Sequence, residues 1–599
     1  MKTRPILPIF LCFILGCQTP PSPKSSPSQT PPSPKSGERS GAEYSERHLD
    51  FKEWGRTADC CTASGVKAAV ASGGGFASKA GIEILKAGGN VVDAAIATAF
   101  VLAVERPHSA GLGGGGFMTL YLKNQKSPAQ FIDFRETAPK KASRDMYLDK
   151  NGKVIPDLSV LGPLSVATPG FVLGLNEIHR RWGKLPWKTL LTPSIQLAFR
   201  GFKIYPSLAR HIEEKKECLI KDPEIKKLLF NQEEPLKKGD LLIQIDLANT
   251  LRRIATYGGK EFKTGKTAQA IARFMNSNQG LLSAEDLENY KVKYRTPIMG
   301  KFKKLDFVGA PPPSAGGLLI LQMLKVLEGF PIEEIAQKTP EYSHLLSEVM
   351  KRAYADRGKF VGDPDFTHYD FLKLVSEKYI EALRKNISLV KATPSSLIQG
   401  GQLINEGSHT THLSVIDVQG NAVASTLTIN DTFGACIMAP GTGIFLNDEM
   451  DDFSVKPGAP NIYGLVGEMA NAIEPLKRPA SSMSPTILVR EGQPILVAGA
   501  AGGSRITTSV LQVILNDLFV YSGDLKKSIF APRIHQQWMP EFLDIEEGYS
   551  ETTKEYLNSL GEKVRPPPFS AITQAVHLQE DGKVTAVFDP RDEGGAEAY

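Results

Sequence analysis

The chain has 599 residues, 41% hydrophobic and 23% charged, a globular composition that excludes a wholly disordered chain, a collagen-like fibre and a coiled coil. Its net charge of +5 is far from the basic stripe a nucleic-acid binder needs. No segment offers about 20 consecutive apolar residues, so no spanning helix is expected in the mature protein. At about 150 residues per domain, length alone suggests roughly three to five domains.

Lys2 and Arg4 precede a short apolar run, Ile6 to Leu15, followed by Gly16 and Cys17. Residues 1–16 read as an export signal, too short to span a membrane and remain there. The pattern resembles a bacterial lipoprotein signal in which Cys17 is lipidated and becomes the mature N-terminus. It departs from that pattern at Leu15, where small residues are commoner; ordinary secretory cleavage and an unprocessed anchor are the alternatives. Residues 17–42 are rich in Pro, Ser and Lys, and the heptapeptide Thr19–Ser25 recurs as Thr30–Ser36. Such a segment has nothing to bury and stays extended as a tether. The expected location is exported and periplasmic, lipid-anchored through Cys17, with membrane contact only through the lipid.

Six cysteines are too few for a disulfide scaffold. Cys12 and Cys17 lie in the signal region. Cys60 and Cys61 are adjacent, where a disulfide is strained. Cys218 and Cys436 are far apart in sequence and either pair or do not. The bland reading is buried free thiols, and no Cys/His spacing suggests zinc.

From Val66 onward the chain reads as a continuous globular body. Ala77–Ala87 and Val91–Val104 carry apolar residues at helical spacing, with a turn at Gly88, Gly89 and Asn90. The glycine-rich stretch Leu112–Phe117 leads into a strand-like run, Phe117–Leu122. No GK[ST] follows it, which argues against a phosphate loop. Leu190–Phe199 and Leu247–Tyr257 read as amphipathic helices, and Glu213–Glu217 as a solvated helix face. Pro311–Gly317 is a rigid turn before the helical run Leu318–Leu327.

Leu413–Ile416 and Val423–Ile429 are strand-like. Gly420 suits the left-handed position of a three-residue hairpin loop, Val418–Gly420. That register pairs Asp417 with Asn421 and, extended outward, Thr410 with Thr428. Directly opposed residues share a face about 5 Å apart at the β-carbons, so two threonine hydroxyls should meet. Further on, the strand candidate Pro494–Ala500 ends in Ala501-Gly502-Gly503-Ser504, before the helical run Thr507–Phe519. A strand, a glycine turn and a helix start aim free N–H groups into one spot, which can hold an oxyanion.

Four motifs occur in order: Thr410-Thr-His-Leu-Ser-Val, Asn447-Asp-Glu-Met-Asp-Asp-Phe-Ser454, Lys477-Arg-Pro-Ala-Ser-Ser-Met-Ser-Pro-Thr486 and Gly502-Gly-Ser-Arg505. Together they closely resemble the γ-glutamyltransferases (γ-glutamyltranspeptidases, the glutathione hydrolase family). Asp133-Phe-Arg-Glu136, Gly113–Gly116, Pro311–Gly317, Tyr354-Ala-Asp-Arg357 and Gly362-Asp-Pro-Asp365 agree, so the resemblance covers roughly Val66 to Tyr599. It implies an α+β fold, the four-layer αββα sandwich of N-terminal-nucleophile hydrolases. It also implies self-cleavage between His409 and Thr410. A large subunit, residues 43–409, and a small catalytic subunit, residues 410–599, would then form one intertwined core.

The chemistry follows from the residues. A threonine hydroxyl is a poor nucleophile and needs a base. Once N-terminal, Thr410 carries its own α-amine, of ordinary pKa about 7.7–8.0. Thr428 would orient the Thr410 hydroxyl, and Gly502 and Gly503 would supply oxyanion N–H groups. By the resemblance, Arg135 clamps the substrate α-carboxylate, which its planar fork fits. Ser481 and Ser482 add hydroxyl donors, and Glu449 and Asp452 accept from the α-ammonium with Asn430 nearby. Lys456–Glu468 is similar to a pocket-covering lid, with Tyr463 closing on Asn430. Keeping that loop argues for small γ-glutamyl substrates such as glutathione, with water, amino acids or peptides as acceptor. No cofactor is implied, and His409 and His412 make poor metal geometry. Two alternatives are a related acylase or poly-γ-glutamate-cleaving enzyme, and a non-catalytic binding lipoprotein.

Overall fold

The computed structural model describes residues 61–400, 410–455 and 469–599. Two seven-stranded sheets, each antiparallel, lie face to face. The first has the order Gly595–Ala598, Ala68–Ser72, Thr410–Asp417, Asn421–Thr428, Gly115–Leu122, Ala129–Asp133 and Lys293–Arg295. The second has the order Thr62–Gly65, Val584–Phe588, Ile572–Leu578, Gln493–Ala501, Thr486–Arg490, Leu305–Gly309 and Ile298–Phe302. Small side chains on one sheet meet β-branched ones on the other. Ala69, Ala71, Ala422 and Ala424 pack with Val308, Ile487, Val497 and Val576, all buried.

Helices cover both outer faces. Gly75–Lys86 and Val91–Glu105 lie against the first sheet, and Gly316–Leu327 and Arg505–Leu515 against the second. This is the four-layer αββα sandwich. Val91–Glu105 starts at an Asn90–Asp93 capping box and is buried along its whole length, enclosed by Gly75–Lys86, Phe171–Trp182 and Trp187–Arg200. The described residues beyond the N-terminal segment pack as one body, not the several domains that length suggests. Each sheet takes strands from both sides of position 410, so neither side owns a core of its own.

The hairpin has the expected register. Thr410 pairs with Thr428, and the pairing runs through Ile416 and Ala422. Gly420 adopts φ +97°, and the Asp417 carboxylate accepts from the Gln419 and Asn421 amides at 3.0 and 2.9 Å. The helix expected over Thr507–Phe519 begins earlier, at Arg505, and turns π-helical over Asn516–Val520.

The cysteine reading is corrected. Cys218 and Cys436 form a disulfide with their Cα atoms 5.9 Å apart, and Cys61 is disulfide-bonded as well. A separation of 218 residues carries no information about proximity once a chain folds into interleaved sheets. Residues 1–42, the His409 side of the expected cut and Tyr463 lie outside the described residues.

Candidate active site

Thr410, His412, Ser414 and Ile416 share one face of their strand by period-two alternation. That face looks across to the second sheet. The His412 ring occupies the space above Gly499, where any Cβ would come within 2.2 Å of it. Its Nδ1 is 2.8 Å from the Thr426 hydroxyl and its Nε2 is 3.0 Å from that of Ser414. Burial holds this imidazole down to about 3, so it is neutral. It fills the interior of the layer at whose end Thr410 stands, 7% exposed.

The Thr428 hydroxyl accepts from the Asn430 amide at 2.9 Å. The Asn430 side chain donates to the Asp448 carbonyl at 3.0 Å, and the Asp431 amide to the Asp448 carboxylate at 2.9 Å. The next residues, Glu449–Asp452, form a short buried turn. Thr410 thus lies opposite Thr428, which is bonded through Asn430 to Asp448, the residue that leads into the Glu449–Asp452 turn.

Arg135 stands between those carboxylates. It is 1% exposed. Its Nη1 is 2.7 Å from Glu449, and its Nη2 pairs with Asp452. Nε donates to the Pro479 carbonyl at 2.9 Å and Nη2 to that of Ala480 at 2.8 Å. Ser481 and Ser482 follow directly. The Ser481 hydroxyl accepts from the Met483 amide at 3.1 Å. The Ser482 hydroxyl is fully buried and finds no partner among the described residues.

The glycine turn has the expected form. Gln493–Ala501 is a strand, Arg505–Leu515 a helix, and Gly502 and Gly503 between them adopt φ of +127° and +53°. Their carbonyls start the helix by accepting from Arg505 and Ile506, both at 3.1 Å. Neither of their own N–H groups donates to another described residue. Thr507, in the first turn of that helix, reaches back to the Ser482 carbonyl at 3.4 Å.

Several positioning residues escaped the sequence reading. Asn447 donates to the Gly113 and Ala167 carbonyls at 2.6 and 2.9 Å and receives the Glu449 amide at 3.0 Å. Asn471 joins the Asp452 carbonyl (2.7 Å) to the Ala480 amide (2.8 Å). The Pro311–Gly317 turn holds the serines, since Ala315 donates to Ser481 at 2.7 Å and the Ser314 hydroxyl to the Met483 carbonyl at 2.6 Å. The glycine run is a close-approach device. A Cβ on Gly114 would lie 2.1 Å from the Thr428 carbonyl, and one on Gly115 2.7 Å from the Glu136 carboxylate. Glu136 is fully buried, its carboxylate makes no hydrogen bond to another described residue, and burial pushes its pKa up to about 8. The signals for these residues were long-range contacts, which spacing does not encode.

The γ-glutamyltranspeptidase family model matches residues 77–599. The chain belongs to this family. It is 43% identical over 524 residues to the glutathione hydrolase proenzyme of Escherichia coli K12, covering 87% of this chain and 90% of that one. It is 35% identical over 540 residues to the acylase ACY 1 proenzyme of Pseudomonas sp. V22, covering 89% and 93%. Among solved structures, the cephalosporin acylase of Bacillus halodurans superposes with a TM-score of 0.79 at 26% identity, covering 90% of this chain and 97% of that one. γ-Glutamyltranspeptidases and acylases therefore share this scaffold.

Proposed function

We propose that Thr410 is the nucleophile of this enzyme, released by self-cleavage after His409, and that Arg135, Glu449, Asp452, Ser481 and Ser482 read the amino-acid head of a γ-glutamyl donor. As a member of its family the protein is a γ-glutamyltransferase and glutathione hydrolase made as a proenzyme. The observation that carries the residue assignment is the link from Thr410 through Thr428, Asn430 and Asp448 to the buried Arg135 cluster. One arginine against two carboxylates leaves an excess negative charge, which a substrate ammonium neutralises. The buried Ser482 hydroxyl supplies a donor for the substrate carboxylate.

The steps balance without any further group. In the precursor the Thr410 hydroxyl attacks the His409 carbonyl carbon, the C–N bond breaks, and an ester forms. Water hydrolyses that ester and frees the Thr410 amine. In turnover this amine takes the hydroxyl proton while the oxygen attacks the γ-carbonyl. The Gly502 and Gly503 N–H groups face the oxyanion. The leaving amine departs with a proton, and water or an acceptor amine then attacks the γ-glutamyl ester. The chain is exported by residues 1–16 and held through lipidated Cys17 and the 17–42 tether. The large and small subunits are residues 43–409 and 410–599.

The likeness to acylases favours one second reading, an acylase or poly-γ-glutamate-cleaving activity in the same site. A substrate panel of glutathione, poly-γ-glutamate and a glutaryl-cephalosporin separates them. Preferred turnover of glutathione is the expected result, and preference for either of the others overturns it.

A further inference from the structure

The Cys218–Cys436 disulfide lies across the expected cut, with one sulfur on each side of position 410. It sits within a seam between two short segments, 215–222 and 431–438. Lys215 Nζ is 2.5 Å from the Asp431 carboxylate, Cys218 bonds Cys436, and the Met438 amide donates to Asp222 at 3.1 Å. The contacts run in step along both segments. Asp222 also caps the helix Pro223–Leu229 through the Glu224 and Ile225 amides, so the first segment runs directly into that helix. The second segment begins next to Asn430, whose amide fixes Thr428. Cys218 is partly buried, and Cys436 is 5% exposed.

We infer that the mature enzyme is a covalent heterodimer, its large and small subunits joined by the Cys218–Cys436 disulfide. This rests on the reading that the chain is cut before Thr410. Making the bond removes two electrons and two protons from the thiols. A disulfide-exchange oxidant of an extracytoplasmic compartment accepts them, which agrees with an exported chain. Cleavage opens the backbone between the two sulfurs, and what was an internal loop closure becomes an interchain link. The seam that carries it holds the Asn430 turn against the large subunit.

The purified full-length protein is alkylated without reduction and run on denaturing gels with and without reductant. One full-size band without reductant and two bands with it are expected, together with a Cys218–Cys436 cross-linked peptide in a non-reduced digest. Cys218→Ser should migrate as two bands under both conditions while keeping its cleavage. Two wild-type bands without reductant, with both cysteines alkylated, overturn the inference and leave the cleavage reading intact. One wild-type band under both conditions overturns the covalent heterodimer together with cleavage, because the disulfide then joins one unbroken chain to itself.

Discussion

Thr410 lies directly opposite Thr428 at the open end of a hairpin, and the Thr428 hydroxyl is already held by the Asn430 amide at 2.9 Å. The pair therefore has one half that is fixed, and on the proposed reading the other half is the nucleophile. Thr428→Val removes the hydroxyl and leaves the Asn430 N–H without its acceptor, at a cost of about 1–3 kcal/mol. The expected result is a fall in kcat of roughly tenfold or more with a much smaller change in KM, and recovery in Thr428→Ser. Wild-type kcat in Thr428→Val would remove Thr428 from the mechanism.

Arg135 holds two buried carboxylates, and on the proposed reading it also clamps the substrate, so its variants should show both effects. Arg135→Ala leaves Glu449 and Asp452 buried without their cation, a loss of about 3–5 kcal/mol when one partner of a buried pair is removed. A lower melting temperature is therefore expected. It also removes charge-assisted contacts worth about 1.5–3 kcal/mol each, a hundredfold or more in kcat/KM. Arg135→Lys keeps the charge without the fork, so stability should largely return while activity returns only in part. The discriminating comparison is a γ-glutamyl donor against its analogue lacking the α-carboxylate. Wild type should prefer the intact donor strongly, and Arg135→Lys much less. An unchanged ratio would show that Arg135 is not the clamp.

Burial raises Glu136 from an ordinary 4.5 to about 8. The folded state thus keeps a proton that the unfolded chain gives up above about pH 4.5. The stability this group contributes is whole below that pH and is lost as pH rises to about 8. The loss is about 1.4 kcal/mol per pH unit within the window. Glu136→Gln stays neutral throughout. Its melting temperature should fall less than that of wild type between about pH 5 and pH 8. Glu105 and Asp451, raised to about 7 and about 6 by burial, titrate in both proteins and cancel in the difference. Parallel curves would contradict the assignment of a buried, protonated Glu136.

The hairpin register was readable because strand alternation has period two and a three-residue loop with Gly420 admits one pairing. The same local logic gave the glycine turn at Gly502 and Gly503, whose positive φ angles few other residues tolerate. Arg135, Glu449, Asp452, Ser481 and Ser482 came from motif resemblance; the fold packs Arg135 against Glu449, Asp452 and the Ala480 carbonyl, the residue just before Ser481 and Ser482. Asn447 and Ser314 stand inside the resembling motifs, but their bonding roles, like that of Asn471, were not readable. Each acts by bonding backbone groups far away in sequence, and a lone Asn or Ser carries no periodic signal. The Cys218–Cys436 pairing was hidden for the same reason.

The location proposal rests on residues 1–42. Among the described residues no helix is long and apolar enough to cross a membrane. Cys17→Ser should abolish incorporation of labelled fatty acid and release the enzyme from the membrane fraction. Absence of label in wild type would replace lipid anchoring with plain secretion.

The central claim is that Thr410 cuts the chain and then carries the acyl group. N-terminal sequencing of the reduced fragments, for wild type and Thr410→Ala, tests it most directly. Wild type should yield a small chain beginning Thr-Thr-His, and Thr410→Ala one uncut chain with no γ-glutamyl release. Efficient cleavage after His409 in Thr410→Ala, or a small chain that begins elsewhere, would contradict the account.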